Sequence, residues 1–584
     1  MNQTAERLPA LYFLRTEWEV LKPITHVTFF QGCLWSALLR YAYNPWLRPG
    51  EYFHQTGVRL QPADVGIPTY ETGERLCLGL IVPTAEAARL ATVLAGLQGS
   101  ADCHGQFEPG RTLHLRDVTC RVSGEPWPGH GARPLVPEDC AAAVTALMAR
   151  TRHELWFHAP LRLTKPAAYR NGKHFADQTF LRESPISDDL LRRHLGLWDE
   201  LTLDRSGIHG LWMTVHYGRR TQPKTLAGFS GLLPFSGRLD RESALNLLWA
   251  SWLGIGKNRA FGLGCFELAE RDRLVGLRRL TRYRTLLGDV TAVVGRRVAA
   301  AVPRSAAAGS ARVIGFPRVL SRQGERSCAA GRARCSPVAL VEEGTARVLA
   351  RALSPLLSEA AFGHYPGIGA NKAVRAFRAA WSAGYRHGLS ARFARLPETI
   401  SRSRLWTLLR ALLPHEPLLD GLARWVPATG MGLAPEHVLT PLLCHLYLTF
   451  FDRFLLDHGF RLIRYEHHLL VLSRDRQQNG TLPALLMAVM GELGVSLDPA
   501  SARIVQPDTA CSFLGETALP RDAAPTAAER KAAAGSTRAR KTAFGEPARS
   551  RACLGPAMPP PMPCGDSGRG PVLGGAVFKS AGRN

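Results

Sequence analysis

Residues 254–264 read Gly254-Ile255-Gly256-Lys257-Asn258-Arg259-Ala260-Phe261-Gly262-Leu263-Gly264, four glycines in eleven positions. A stretch this rich in glycine continues neither a helix nor a strand. It must be a tight connection in which the backbone comes close to something else. The pattern DRESALNLLWASWLG at 240–254 predicts a helix before it, and 263–269 reads as a strand after it. A loop that follows a helix and opens a strand is not the dinucleotide fingerprint, which runs the other way, and the GxxxxGK[ST] order of a P-loop is absent. Lys257 and Arg259 place two cations in the loop, and free backbone N–H groups beside cations suit phosphate. Gly254, Gly256, Lys257, Asn258, Arg259, Gly262 and Gly264 are therefore candidate phosphate-contacting residues. A helix C-cap followed by a β-turn would use the same letters.

Charge points the same way. Lys and Arg number 73 against 48 Asp and Glu, a net charge of +25 over 584 residues. Such an excess favours a polyanionic partner, nucleic acid before an anionic membrane, although a GC-rich genome also yields Arg- and Ala-rich chains. Hydrophobic residues at 46% exclude global disorder. At roughly 150 residues per domain the length suggests three or four domains. The twelve cysteines form no CxxC pair, the nearest two being Cys328 and Cys335. A zinc ribbon, a redox dithiol and a secreted disulfide scaffold are thus disfavoured, and no metal or cofactor is expected. The opening MNQTAERLPALYFLR has no basic region followed by an apolar stretch, and no apolar run reaches the ~18 residues of a membrane span. The expectation is a cytoplasmic protein with no membrane partner.

Along the chain, 10–30 alternates as a strand and loop, 32–43 has helical spacing, and 75–82 reads as a strand. Residues 84–97 read as a helix with Thr84 as its cap. Alternating elements in this order suit a ferredoxin-like α+β unit. A second unit of the same kind begins near 151, with strands at 154–163 and 210–217, a helical stretch around 188–198 and a further segment at 226–238. The expected organisation is a first ferredoxin-like domain at 1–150, a second at 151–270 and a basic linker at 271–345. A globular domain at 346–516 and a disordered basic tail at 517–584 follow. From 521 onward Ala, Gly and Pro make up 31 of 64 residues and Ile, Leu, Val and Phe only 6, too few to offset ordering entropy. An out-of-frame read-through would look the same.

The glycine-rich loop is preceded by Leu226-Ala227-Gly228-Phe229-Ser230-Gly231 and Phe235-Ser236-Gly237, and followed by Phe266-Glu267-Leu268. Together these resemble the C-terminal half of the CRISPR pre-crRNA processing endoribonucleases of the RAMP superfamily, in which GFxGxLxFxG, a helix and GxGKxxxFGxGxxEL succeed one another. Phe157-His158-Ala159-Pro160-Leu161-Arg162-Leu163 resembles the strand that opens that family's second domain. The resemblance covers about 10–270. It implies tandem ferredoxin-like (RAMP) domains, RNA held across them and metal-independent cutting of CRISPR repeat RNA. It also makes the loop residues above RNA-binding. Cleavage without metal uses the RNA 2′-hydroxyl as nucleophile and leaves a cyclic phosphate. That requires a base near neutral pKa, for which His is suited, and cations on the developing charge. The candidates are His54, within Tyr52-Phe53-His54-Gln55, then His26, with Arg59 as a cation. In some members an aromatic residue on the first helix assists. Trp35 holds that position here and cannot supply a phenol.

Residues 431–452 (MGLAPEHVLTPLLCHLYLTFFD), 459–472 (GFRLIRYEHHLLVL) and 510–515 (ACSFLG) resemble motifs of reverse transcriptases of the group II intron and CRISPR-associated type, as do 361–385 and 388–405. The resemblance covers about 345–516 and implies a fingers/palm domain. Polymerase chemistry needs carboxylates on two divalent metals. Arg392 stands where the first Asp is expected, and His467 and His468 stand where the Asp pair is expected. The reading is therefore an endoribonuclease fused to an inactive reverse-transcriptase-like domain, with the CRISPR integrase and effector proteins as further partners. A non-catalytic RNA-binding scaffold for spacer acquisition and an active RNA-directed DNA polymerase are the alternatives.

Overall fold

The structure is a computed structural model. It describes residues 8–518 except 25–28, 100–112, 164–190, 196–200, 216–223, 302–336 and 364–368 and the single positions 68, 193, 194 and 281. His26 and the tail from 519 lie outside the described residues.

The first sheet runs β2-β3-β1-β4, built from β1 (Leu11–Val20), β2 (Arg59–Pro62), β3 (Arg75–Pro83) and β4 (Leu113–Cys120). All its pairings are antiparallel. The helix Gly32–Tyr43 follows β1 and the helix Ala87–Gly99 follows β3, which gives the βαββαβ order of a ferredoxin-like unit. The central strand β1 is apolar on both faces. Leu14, Trp18 and Val20 point into the core under the helices, while Leu11 and Phe13 point the other way into a second core. There Phe13 meets Trp252 edge to face at 5.2 Å, and Trp249 Nε1 donates to the Pro9 carbonyl at 3.0 Å. The helix expected from Thr84 is preceded by a 3-10 turn, Thr84–Glu86, which is entered from Pro83 with no side-chain cap.

The second sheet runs β6-β8-β5-β9, with β7 also paired to β8. Its strands are β5 (Arg152–Leu161), β6 (Thr202–Leu203), β7 (Ile208–Val215), β8 (Lys224–Ser236) and β9 (Glu267–Leu268). This repeats the strand order of the first unit, so the chain holds two ferredoxin-like units in tandem. Asp240 caps the helix Arg241–Leu253 by accepting from the Ser243 N–H at 2.7 Å. The strand expected over 263–269 is confined to β9, because Gly262 and Gly264 have φ of 76° and 73° and cannot lie in a ladder.

A third sheet, β10-β12-β13-β11-β14, comprises β10 (Ala361–Phe362), β11 (His387–Arg392), β12 (Arg461–Tyr465), β13 (His468–Ser473) and β14 (Arg503–Val505). A small hairpin, β15 (Cys511–Phe513) with β16 (Glu516–Ala518), follows. The helix Thr440–Asp457 is buried on nearly every side, which accounts for its apolar sequence, and no described helix is long and apolar enough to cross a membrane. Arg464 on β12 donates two hydrogen bonds to Asp452 of that helix, at 2.8 and 2.7 Å, with both side chains fully buried. The C-terminal region does not stand apart from the ferredoxin-like units. Its helix Arg402–Leu412 packs on β5 and β8, and one continuous apolar core runs from Trp18 and Leu39 to Leu409 and Leu443. Glu416 adds a polar tie: it pairs with Arg282 at 2.9 Å and accepts from the Leu287 and Leu418 N–H groups.

Candidate active site

Where the glycine-rich loop meets the first unit, a cavity of about 480 Å³ opens. The helix Gly32–Tyr43 contributes Ser36 and Arg40, the 3-10 turn Phe53–Gln55 contributes His54, β2 begins at Arg59, and the loop contributes Lys257 and Arg259. His54, Arg59 and the loop cations, more than 190 positions apart in the chain, thus line one space.

Close backbone approach builds this junction. A Cβ on Gly32 would lie 1.9 Å from the Phe261 carbonyl oxygen, and one on Gly262 would lie 2.2 Å from that of Leu60. The loop can therefore seat on the first unit only with glycine at these places. Several loop amides are engaged internally: Gly254 N–H donates to Ala250, Lys257 to Arg162, Gly262 to Arg259 and Gly264 to Pro160. The side chains of Lys257 and Arg259, both exposed, are what the loop offers an anion. Asn258 holds a left-handed φ of 64° and accepts from Arg162 at 3.4 Å, and Gly256 completes the cavity wall.

His54 is exposed, while its neighbour Phe53 is buried against Tyr43 at 5.2 Å and anchors the turn. Gln55 closes the turn by accepting from the Tyr52 N–H at 2.8 Å. The aromatic group beside His54 is Tyr52, stacked at 5.7 Å with 19° between the rings. Trp35 lies in the core, 2% exposed, donating to Gln31, so the expected aromatic partner on the first helix is not at the cavity. The sequence signal for Tyr52 is its place two residues ahead of His54.

The electrostatics favour an anion. Arg59 is 9% exposed and its Nε has no partner among the described residues, while one Nη donates to the Val58 carbonyl at 3.0 Å. Burial, and then the nearby charge of Arg259, pushes its guanidinium down to about 10, which still leaves it charged at neutral pH. The carboxylate in the lining, Glu51, is engaged by Arg89 at 2.7 Å.

In the third sheet, Arg392 pairs with His468 across β11 and β13. The rings of His467 and His468 lie 4.5 Å apart, tilted by 34°, and Arg392 N–H donates to Ser501 Oγ at 2.9 Å. Burial, with His467 and Arg392 beside it, pushes His468 down to about 4. Arg392, His467 and His468 are thus brought to one end of the sheet, and no cluster of three or more His, Cys, Asp or Glu forms there among the described residues.

No protein-family model matches the sequence, and no curated protein matches it. Among solved structures the chain is similar to one in a partial Cas6-RT-Cas1–Cas2 complex, at 15% identity over 83% of this chain and 93% of that one, with a TM-score of 0.52. A chain of the Cas6-RT-Cas1–Cas2 complex matches equally, at 15% identity and TM-score 0.52 over 83% of this chain, which spans 58% of that longer chain. Cas6 from Thermus thermophilus is 16% identical over 45% of this chain and 99% of that one, with a TM-score of 0.26. The likeness to the first two is one of fold: tandem ferredoxin-like units continued into a third, mixed sheet.

Proposed function

We propose that the chain is a CRISPR repeat-RNA endoribonuclease that cuts without metal, joined to a reverse-transcriptase-like region that does not polymerise. The observation that carries the reading is the cavity between the two ferredoxin-like units, which gathers a histidine, a buried arginine and the loop cations. In this reading His54 takes the proton from a 2′-hydroxyl as its oxygen attacks the adjacent phosphorus. The bond to the 5′-oxygen breaks, a proton is returned to that oxygen, and the products are a 2′,3′-cyclic phosphate and a 5′-hydroxyl. Arg59, Lys257 and Arg259 offset the negative charge that grows on the non-bridging oxygens. Tyr52 holds the imidazole by stacking and offers an exposed ring to an RNA base.

Arg392 and His468 support the inactive reading of the third sheet, because a guanidinium repels the Mg²⁺ ions that polymerisation requires. The same groups suit contact with a nucleic-acid backbone, which keeps a binding role for this region. Partnership with the CRISPR integrase and effector proteins is proposed from the fold likeness to chains of Cas1–Cas2 complexes. The test is incubation of the full chain with repeat RNA in excess EDTA, followed by end-group analysis. Fragments ending in cyclic phosphate are expected. Tight binding with no fragments would leave a scaffold in place of an enzyme.

A further inference from the structure

Away from the cavity, three side chains from distant parts of the chain converge. His158 lies on β5 and Glu267 on β9, where Glu267 is in register with Trp156, so the two project from the same face of neighbouring strands. His415 comes from the loop after the helix Arg402–Leu412, with a left-handed φ of 56°. The His158 Nε2 lies 2.9 Å and the His415 Nε2 3.1 Å from the same oxygen, Glu267 Oε2. Among the described residues this is the only group of three or more His, Cys, Asp or Glu whose donor atoms all lie within 4.8 Å of one another.

The protons of this cluster do not add up. His415 Nε2 also lies 3.1 Å from an Nη of Arg279, which can only donate. With a proton, Nε2 faces a donor. Without one, its lone pair faces the lone pairs of an ionised carboxylate. No tautomer of His415 satisfies both neighbours. A cation at the point where the three lone pairs meet removes the conflict, provided Arg279 turns away. Arg279 can do so, since its side chain is 64% exposed and its ion pair with the other Glu267 oxygen is long, at 3.6 Å.

We propose that His158, Glu267 and His415 form a site for one divalent transition-metal ion of the zinc class, which ties the second ferredoxin-like unit to the C-terminal region. Two imidazoles and a carboxylate suit zinc and leave a fourth position for water. Ligand atoms about 2.1 Å from a tetrahedral ion stand about 3.4 Å apart. The separations of 2.9 and 3.1 Å need to open by only a few tenths of an ångström. The three side chains are 23%, 32% and 47% exposed, so an ion can reach them from solvent.

The experiment strips the full chain with chelator, titrates it with Zn²⁺ and with Co²⁺, and compares it with a His158→Ala/His415→Ala variant and with Arg279→Ala. The wild type is expected to retain one more equivalent of zinc than the double variant and to melt at a higher temperature when loaded. Its Co²⁺ form should show the visible absorption of a four-coordinate site. The double variant should bind at least about 100-fold more weakly, since even outer partners of a ligand are worth 10–100-fold. Arg279→Ala should bind zinc as tightly as the wild type or more tightly, which also covers a double variant that fails to fold. Zinc uptake equal in wild type and double variant would overturn the proposal. So would an Arg279→Ala variant that has lost stability and binds zinc more weakly than the wild type, because the cluster would then be an ion-pair network alone.

Discussion

At the scale of the residue, surroundings set the charge and direction of the groups that matter. Tyr52 is read as a positioning residue for His54. A ring stack is worth about 0.5–1.5 kcal/mol, so Tyr52→Ala should slow RNA cleavage by about 3- to 10-fold. Tyr52→Phe should stay within about 3-fold of wild type, because it keeps the ring. A loss of about 100-fold in Tyr52→Phe, measured in single turnover, would give the phenol a proton-transfer role instead. Asp64, in the loop after β2, is 2% exposed, and burial pushes its carboxyl up to about 7 against the pull of Arg282 and Arg284. A folded-state pKa above the unfolded one means the folded protein holds the proton more tightly. This contribution to stability is full below pH ~4 and disappears as pH rises towards 7. Asp64→Asn should flatten that fall, by on the order of a few kcal/mol between pH 4.5 and 7.5 in denaturant unfolding. Parallel curves for wild type and variant would show that Asp64 titrates normally.

At the scale of the element, the glycine-rich loop joins two roles: its glycines let backbones touch, and its cations face the cavity. Replacing Lys257 and Arg259 together with Ala should weaken RNA binding and reduce the slope of log K against log salt by roughly one to two units. An unchanged slope would reduce the loop to a turn. Much of this was legible locally. The helix Gly32–Tyr43 follows its apolar spacing, and the alternation of strand and helix patterns foretold two ferredoxin-like units. What local pattern could not show was register and reach. Trp35 carries the letters of a helix aromatic but turns into the core, because Gln31 there accepts its N–H and the Tyr70 hydroxyl. The strand after the loop shrank to two residues because the glycines that make the turn also forbid extended pairing. His158 and Glu267 sat in plain view within recognisable segments, yet nothing local signals that His415 meets Glu267 from 148 positions away.

At the scale of the whole molecule, one apolar core joins the first unit to the C-terminal helices, so the ferredoxin-like units and the third sheet are held as one body. Arg392 and His468 are paired across β11 and β13, and in the proposed reading they meet a nucleic-acid backbone in place of polymerase metals. Primer extension with Mg²⁺ or Mn²⁺ on RNA and DNA templates should yield no product, with template binding that weakens as salt rises. Template-dependent extension would mean that the catalytic positions lie elsewhere. The central claim is that the cavity between the two units cuts RNA by histidine-based acid–base chemistry. Its most direct test is single-turnover cleavage of repeat RNA in excess EDTA by wild type and His54→Ala, with binding measured on the same samples. The account predicts cleavage by the wild type, a loss of about two to four orders of magnitude in the variant, and equal affinity for RNA. A variant that binds and cuts like the wild type would contradict it.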